Sequence, residues 1–333
     1  MVKIYFRIIF IFLLFCNNEN NAQQVRLSDW MGDQANLIGN NPLNGIFIPG
    51  SHDSATYRLE QKFGKNQDLT SKLNVLRYFL VGFAVTKIAE KWAQAQNLTI
   101  HEQLLNGVRY LDLRVIYRDS KKDFYTVHSL YGPSLDEVLQ QISSFLQQHP
   151  REILIVQIGD LRYMPQGQKN HADLISKIKE RLGEWLVPNN ISSLNKPIRE
   201  LWNANQRVVL VYNNDDIADQ SNLFSQRAID SFWANADNLA DLKTKLDNHL
   251  QGRDRSDKNL YVIQSQMTPT TETIKKGLRP FYKGYRSLKD MALAVDQRFG
   301  QWLVDWGNHK PSIIMTDFCN AKKSMAIISL NER

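Results

Sequence analysis

Apolar and polar positions follow two different periods along the chain, and these periods predict its secondary structure. After Ser134, apolar residues are spaced as on one face of a helix, at positions 135, 138, 139, 142, 145 and 146. The run 152–158 is instead largely apolar, short, and bounded by Pro150 and Gly159. A run of this kind is typical of a buried strand.

The same two patterns along the rest of the chain predict strands and helices in alternation. The predicted strands are 46–48, 108–117, 124–128, 152–158, 207–212, 260–264 and 312–316. The predicted helices are 73–95, 99–105, one that begins at Ser134, 170–186, a short one from Pro197, 239–250 and 286–303. Thr99 and Glu102 have the spacing of a capping box, which marks the start of the second of these helices.

This alternation, repeated about six times, predicts an α/β fold with a parallel sheet. No stretch rich in Pro, Gly or Ser divides the chain, so we expect a single domain over 23–333. The chain has neither G-x-G-x-x-G nor G-x-x-x-x-G-K, the fingerprints of open-sheet nucleotide-binding folds. A distorted TIM-type (β/α) barrel is therefore expected, with functional residues at the carboxyl ends of its strands.

The first 22 residues have a different character. Lys3 and Arg7 precede an apolar run over 8–15, and a polar stretch that ends at Ala22 follows. This is the layout of a secretory signal peptide, and the apolar run is too short to span a bilayer. We therefore expect residues 1–22 to be removed and the protein to be secreted.

Cysteine content and charge narrow the range of functions. Cys16 leaves with the signal peptide, so Cys319 has no partner for an internal disulfide, and the fold must depend on a large core. Cys319 itself is expected to be buried filler. The 39 basic and 33 acidic residues that remain give a net charge of about +6, spread along the chain. This favours an anionic surface such as acidic lipid, and no dense Lys/Arg cluster argues for nucleic acid.

Polar residues with acid–base chemistry lie in or directly after several predicted strands: His52, Asp53, Asp112, Arg114, His128, Asp160, Tyr212 and Asp317. Each of them alone would be interpreted as a structural hydrogen-bonding residue, but in a barrel these positions meet at one mouth. Two imidazoles and a guanidinium indicate phosphoryl transfer without a metal. One imidazole takes a proton, the other gives one, and the guanidinium binds the phosphate oxygens. Asp53 and Asp317 are available to orient the two histidines.

Four blocks of the sequence, "IPGSHDS", "GVRYLDLRV", "FYTVHSLYG" and "SIIMTDF", resemble the catalytic X region of phosphatidylinositol-specific phospholipases C. The similarity is to the single-domain X-domain-containing proteins and, more distantly, to the small bacterial enzymes. It covers about 27–320 and rests on the order and spacing of the blocks. It implies cleavage of an inositol phospholipid to diacylglycerol and a 1,2-cyclic inositol phosphate.

The resemblance also implies roles for individual residues. His52 corresponds to the base that deprotonates the inositol 2-hydroxyl, and His128 to the acid that protonates the leaving oxygen. The other three are Asp53 as the carboxylate that works with the acid, Asp317 as the partner of His52, and Arg114 as the phosphate-binding arginine.

The resemblance further implies that no metal ion or other cofactor is needed. Calcium-dependent relatives carry E-x-D on the second strand, where this chain has Asp112-Leu113-Arg114. A guanidinium would then stand about where calcium stands, and Asp53 replaces an asparagine ligand.

Contacts with the inositol ring are expected from Asp160, Tyr212 and Gln264. Gly50 and Ser54, on either side of the His52-Asp53 pair, are expected to be small because they leave room for the sugar.

Other functions stay open at this point. A non-catalytic inositol-lipid-binding or signalling module would keep the pocket without turnover. A glycerophosphodiester phosphodiesterase-like barrel enzyme would need metal-binding acids, with which Arg114 agrees poorly.

The expected partners are an inositol phospholipid and, transiently, a membrane surface, for a chain that acts as a monomer. The apolar stretch 78–85 either docks on that membrane or packs in the core. The residues do not distinguish a free, a phosphorylated or a glycosylated lipid.

Overall fold

The computed structural model describes residues 26–65, 82–253, 259–309 and 313–332. The predicted signal peptide 1–22 and the start of the predicted helix 73–95 lie outside these residues. Within them, ten strands form one sheet. The strands are β1 Ile48–Ser51, β2 Tyr110–Arg118, β3 Asp123–His128, β4 Leu130–Ser134, β5 Leu154–Leu161, β6 Val208–Tyr212, β7 Phe224–Ser225, β8 Ile229–Phe232, β9 Leu260–Gln264 and β10 Ile313–Thr316.

Helices connect these strands and cover the outside of the sheet. They are α1 Trp30–Asp33, α2 Ala35–Ile38, α3 Gly82–Ala93, α4 Ile100–Leu105, α5 Leu135–Gln148, α6 Gln168–Leu182, α7 Ile191–Leu194, α8 Ile198–Asn203, α9 Asp215–Gln220, α10 Leu239–Gly252, α11 Thr271–Gly277, α12 Leu288–Gly307 and α13 Ala321–Ile328. The predicted capping box at Thr99 and Glu102 is present at α4, and Ser134 caps α5. The sequence pattern did not predict several short elements, namely β4, β7, β8, α1, α2, α7, α9, α11 and α13.

Eight strands follow one another in the order β7-β6-β5-β2-β1-β10-β9-β8, each parallel to its neighbour. The sheet curls into a half-barrel with β7 and β8 at its two ends. The α/β class and the distorted barrel expected from the sequence are therefore confirmed. The carboxyl ends of the parallel strands lie at one mouth of this half-barrel.

Strand β3 is not one of the parallel strands, although the sequence pattern placed it in the same alternation. It pairs antiparallel with β2, and β4 pairs antiparallel with β3. The reason is the length of the connection. Only four residues, 119–122, separate the paired ends of β2 and β3, whereas a parallel crossover needs a dozen or more. The hairpin folds back toward the mouth and brings His128 to the level of the parallel strand ends.

Side chains along each parallel strand alternate between the inside and the outside of the half-barrel. On β6, Val209 and Val211 pack inside with Ile155 of β5, whereas Val208 and Leu210 pack outside against the helices. This parity decides which strand-end residues can reach the mouth.

A buried ion pair closes the opposite, amino-terminal end of the half-barrel. Arg109 and Glu152 are both fully buried, and Nε of Arg109 donates to Oε2 of Glu152 over 2.7 Å. Arg109 also donates to the carbonyls of Leu104 and Val108, and Glu152 accepts from the backbone N–H of Gly32. One ion pair thus ties β2 and β5 to the segment that carries α1.

Two further findings concern membranes and the apolar stretch 78–85. No helix in the described ranges is long and apolar enough to cross a bilayer. The structure describes no side chain in 78–84, so most of this stretch is outside the described residues. Val85, its last residue, is buried in the core.

Replacing Glu152 with alanine should lower the free energy of unfolding by about 3–5 kcal/mol, because the buried Arg109 loses its counter-charge. Chemical denaturation followed by circular dichroism measures this. Asp173→Ala, which removes the exposed pair with Lys169 on α6, is the matched control and should cost less than about 0.5 kcal/mol. Equal effects of the two substitutions would contradict the role given to the buried pair.

Candidate active site

A cavity of about 420 Å³ opens at the mouth of the half-barrel. Its size lies within the range of small-molecule sites, roughly 300–1,000 Å³. Of the residues expected at the site, those that line it are His52, Asp112, Arg114, His128, Asp160 and Gln264. Asp53 and Asp317 lie behind this lining and are buried. Residues up to 265 positions apart in the sequence are therefore brought together.

Asp53 is the central carboxylate of the site. It forms an ion pair with Nε of Arg114 through Oδ1. Its Oδ2 lies 3.2 Å from Nε2 of His52 and 3.3 Å from Nδ1 of His128. The backbone of Asp53 is left-handed, with φ +43°, and its N–H donates to Oδ2 of Asp112. The turn after β1 thus points one buried carboxylate at a guanidinium and two imidazoles.

His52 has a defined tautomer. Its Nδ1 lies 2.7 Å from Oδ1 of Asp317, at the end of β10. Because a carboxylate accepts, Nδ1 carries the proton and Nε2 is the nitrogen available for acid–base chemistry. Nη2 of Arg114 lies 3.3 Å from Nε2 and can donate to its lone pair. When Nε2 is protonated as well, the imidazolium faces Oδ2 of Asp53.

His128 is fixed by backbone as well as by charge. Its Nδ1 lies 2.7 Å from the carbonyl oxygen of Ala93. A carbonyl can only accept, so Nδ1 donates and Nε2 is left to exchange a proton with a bound molecule. The pairing of His128 with Asp53 implied by the resemblance is present, but Asp53 also contacts His52, so the carboxylate is shared. The two imidazole rings are 6.4 Å apart.

The two histidines differ in proton affinity. Burial of His52 disfavours its cation, but the negative charges of Asp53 and Asp317 outweigh burial and raise its pKa to about 9. Burial dominates at His128 and lowers its pKa below the usual 6.5, although Asp53 acts in the opposite direction. At neutral pH, Nε2 of His52 therefore carries a proton in the free site, whereas Nε2 of His128 carries none.

The two carboxylates nearest Arg114, those of Asp53 and Asp112, also differ in proton affinity. Asp53 is buried, which disfavours its charge, yet Arg114 and the histidines hold its pKa below the ordinary value. Burial raises the pKa of Asp112, and the Arg114 cation only partly offsets this. The site thus keeps Asp53 as its firmly ionised group.

The segment 93–96, which begins at the last residue of α3, positions both histidines, although no local pattern in the sequence indicated this role. The side chain of Gln96 is fully buried, and its amide donates to the carbonyls of His52 and Thr316, over 2.8 and 3.0 Å. Its oxygen accepts from the N–H of Cys319. Together with the bond from Ala93 to His128, these contacts hold the ends of β1, β3 and β10 in register.

Two of the three expected ring contacts line the cavity. Gln264 donates to Ser231 there. Asp160 pairs with Arg162 and reaches the mouth because of a bulge. The register between β2 and β5 shifts at Gly159, which places Asp160 opposite Arg114 and turns it inward.

The third expected ring contact, Tyr212, is wrong. It has the same parity as Leu210 and points outward, where it is fully buried against the helices. Its hydroxyl bonds to Nδ1 of His171 on α6 at 2.6 Å. A residue at a strand end reaches the mouth only when its parity is inward, and Tyr212 fails this condition.

The small residues beside the His52-Asp53 pair do not make room for a ligand. A Cβ on Gly50 would lie 2.9 Å from the ring of Tyr110, inside the half-barrel. Ser54 is fully buried, and its hydroxyl accepts from the N–H of Asp112. Both positions are small because the strand ends pack closely, so the expectation of space for a sugar is corrected.

Further lining residues were not predicted as site residues from the sequence. They are neutral polar or aromatic side chains together with one arginine: Tyr110, Gln157, Arg162, Gln226, Ser231 and Trp233. Gln157 donates to Gln226 and accepts from the hydroxyl of Tyr110, so these polar groups on the floor of the cavity are hydrogen-bonded to one another. The inward parity of Gln157 on a predicted strand was the available signal. Ser231 and Trp233 lie in and beside β8, which the pattern did not predict.

One group in the described ranges could gather on a metal ion: His52, Asp53 and Asp112, whose nearest ligand atoms all lie within 4.8 Å of one another. The guanidinium of Arg114 already contacts two of these three side chains. The third, Asp112, accepts from the backbone of Asp53. A divalent ion at this place would have to displace a cation that the site supplies itself, so the residues fit a metal poorly.

Cys319 is not part of this chemistry. It is buried, as expected, and burial raises the pKa of its thiol to about 12. The thiolate needed for nucleophilic attack is therefore scarce at neutral pH.

Comparison with known structures shows the fold. The phosphatidylinositol-specific phospholipase C of Listeria monocytogenes superposes with a TM-score of 0.63 at 16% identity, over 92% of this chain and 99% of that one. A Staphylococcus aureus phosphatidylinositol-specific phospholipase C superposes with a TM-score of 0.64 at 16% identity, over 92% and 98% of the chains.

Comparison of sequences shows the family. The model of the phosphatidylinositol-specific phospholipase C X domain matches residues 85–214. Human PI-PLC X domain-containing protein 2 is 31% identical over 296 residues, which are 88% of this chain and 90% of the human protein. Zebrafish PI-PLC X domain-containing protein 3 is 27% identical over 94% of this chain and 96% of its own length. The chain therefore belongs to the family of PI-PLC X domain-containing proteins.

Proposed function

We propose that this protein cleaves phosphatidylinositol-like lipids as a phospholipase C, by attack of the inositol 2-hydroxyl on the neighbouring phosphorus, and that it needs no metal ion. The observation that carries the proposal is the arrangement of two oriented histidines, 6.4 Å apart, about one arginine. A site that only bound lipid would have no use for two imidazoles with defined tautomers. Membership of the X domain family supports the lipid class.

In the reaction, Nε2 of His52 takes the proton of the inositol 2-hydroxyl, and the oxygen of that hydroxyl forms a bond to phosphorus. The bond from phosphorus to the diacylglycerol oxygen breaks, and Nε2–H of His128 protonates that oxygen. The products are diacylglycerol and inositol 1,2-cyclic phosphate. Arg114 binds the non-bridging phosphate oxygens while negative charge builds on them. Because the nucleophile belongs to the substrate, orientation of the ring supplies much of the rate.

The rest of the cavity suits the hydroxyls of an inositol ring. Its floor offers the amides of Gln157, Gln226 and Gln264, which can each donate and accept hydrogen bonds. Asp160 is the carboxylate at the edge of this layer and is proposed to accept from a ring hydroxyl. We also propose that the protein is secreted, on the strength of the signal-like residues 1–22.

The resting protonation state is the reverse of the productive one. The reaction needs His52 neutral and His128 protonated, whereas the raised pKa of His52 and the lowered pKa of His128 favour the opposite. The productive form carries the same total number of protons and is a minority of the free enzyme. The productive form is therefore populated mainly between the apparent pKa of His128 and that of His52.

Replacing His52 or His128 with glutamine should lower turnover by about 10²–10⁴-fold, because each substitution removes a proton-transfer group. Phosphorus NMR of inositol cyclic phosphate released from phosphatidylinositol in detergent micelles measures this. His171→Gln is the matched control, since His171 lies outside the cavity on α6, and it should retain activity. Turnover near the original rate in either site variant would contradict the mechanism. Lipid binding without turnover in the unchanged protein would favour the non-catalytic binding module.

Activity should be unchanged in excess EDTA and should not rise with added calcium, because Arg114 supplies the positive charge that a metal would bring. The same phosphorus NMR assay measures the rate under both conditions. Arg114→Ala should lose about 10²–10³-fold in turnover, and calcium should not restore it. Activity lost in EDTA and recovered with calcium would overturn the claim of metal independence.

The dependence of kcat/KM on pH should be bell-shaped, with an acid limb below pH 6.5 and an alkaline limb near pH 9. Asp317→Asn removes a negative charge beside His52, lowers the pKa of its imidazole, and should move the alkaline limb to lower pH. A soluble short-chain phosphatidylinositol serves as substrate. Asp160→Asn, a second carboxylate at the mouth, should change the height of the profile and leave this limb in place. An alkaline limb that stays fixed in Asp317→Asn would contradict the assignment of that limb to His52.

A further inference from the structure

The surface beside the cavity mouth carries an unusual stretch, residues 275–289, which we call the basic segment. It contains the end of α11 and the loop that leads into α12. Pro269, just before α11, and Leu288, within the segment, both line the cavity. The chain therefore leaves the cavity mouth at Pro269, runs through the basic segment, and returns to the mouth at Leu288.

The charge of the basic segment has one sign. It contains six basic residues and no acid: Lys275, Lys276, Arg279, Lys283, Arg286 and Lys289. Five of these side chains are exposed and Lys276 is half-buried. In the part of the chain that the structure describes, the ion pairs of the segment go to a single acid, Glu272, at 3.9 and 4.0 Å. Most of this positive charge is thus available to a partner.

An aromatic side chain stands in the middle of this charge. Phe281 is 95% exposed, the highest exposure among the large apolar residues that the structure exposes. Its backbone has φ +59°, a conformation that bulky residues rarely adopt. A phenyl ring held fully in water forgoes the free energy of burial. Trp233, which lines the cavity, is a second aromatic residue at the mouth and is 54% exposed.

The loop is packed in place at both ends, so the exposure of Phe281 belongs to an ordered conformation. A Cβ on Gly277 would lie 2.7 Å from the ring of Trp92 and 2.8 Å from the carbonyl of Tyr285. At the other end, the N–H of Arg286 donates to Oδ2 of Asp290 over 2.8 Å, and Leu288 is buried. These contacts hold both ends of the loop that carries Phe281.

We infer that the basic segment is the surface by which the protein docks on an anionic lipid bilayer, with Phe281 inserted among the acyl chains. Its lysines and arginines would attract acidic headgroups, and the ring would gain from burial in hydrocarbon. Docking in this orientation sets the cavity mouth at headgroup level. The inference deepens the proposed function, on which it rests for the orientation, and names the partner as a membrane of net negative charge.

The test uses the whole protein and vesicles that contain no inositol lipid, so that the cavity has no substrate to bind. The vesicles are phosphatidylcholine alone or an equal mixture of phosphatidylcholine and phosphatidylserine, and sedimentation measures binding. Binding to the mixed vesicles should exceed binding to phosphatidylcholine and should weaken at high salt. Lys283→Glu with Arg286→Glu should weaken it by roughly tenfold or more, and Phe281→Ser by about tenfold.

Two controls separate the segment from general charge and apolarity. Arg151→Glu with Arg298→Glu reverses two exposed charges that do not line the mouth, and Leu37→Ser removes an exposed apolar side chain on α2. Both should bind as the unchanged protein does. If the control variants lose binding as strongly, or if the segment variants lose none, the docking surface is wrong.

Turnover separates this inference from the proposed function. On a soluble short-chain phosphatidylinositol, the Lys283, Arg286 and Phe281 variants should keep the rate of the unchanged protein, and on mixed vesicles that include phosphatidylinositol their rate should fall. Vesicle binding that depends on the segment, without turnover of either substrate, would support docking and contradict the phospholipase function. Turnover of both substrates at rates that do not depend on the segment would support the phospholipase function and contradict docking.

Discussion

The candidate site depends on one interaction, the contact of the Asp53 carboxylate with three cationic or potentially cationic groups. A carboxylate as buried as Asp53 is costly unless opposite charges surround it. Arg114 and the two histidines supply those charges, and the same carboxylate raises the proton affinity of His52. Without Asp53, Arg114 would lose its ion pair, and both imidazoles would lose their contact with the same carboxylate oxygen. Burial and chemistry are therefore linked through a single side chain.

The backbone prepares this arrangement at the strand ends. Asp53, Ser129 and Phe318 all adopt left-handed φ values, and each is a site residue or directly follows one. Such conformations cost free energy and persist when neighbouring contacts determine them. The N–H of Phe318 donates to the carbonyl of Ala95, and the N–H of Asp53 to Asp112. The turns that present the acid–base groups are thus held by hydrogen bonds from outside their own strands.

Much of the architecture followed from the sequence because it rests on periodicity. The alternating strands and helices predicted the barrel, and positions after strands predicted the cluster of His52, Arg114 and His128. The error at Tyr212 came from ignoring parity, since an outward residue at a strand end packs on helices. Asp160 reached the mouth only through the bulge at Gly159.

Gln96 could not be predicted at all. Its role depends on the positions of three strand ends, which no local pattern encodes. For the same reason, the sequence could not show that Asp53 is shared between both histidines. Periodicity thus specifies which elements form and which face each residue occupies, whereas contacts between remote turns depend on the assembled fold.

The segment 93–96 has a mechanical consequence. From one short piece of chain, the carbonyl of Ala93 accepts from His128, and the side chain of Gln96 donates to the backbone carbonyl of His52. A displacement of this piece of chain would therefore move both imidazoles together. Their separation would change less than the position of either ring, which would keep the two proton transfers at the spacing that one phosphorus atom requires.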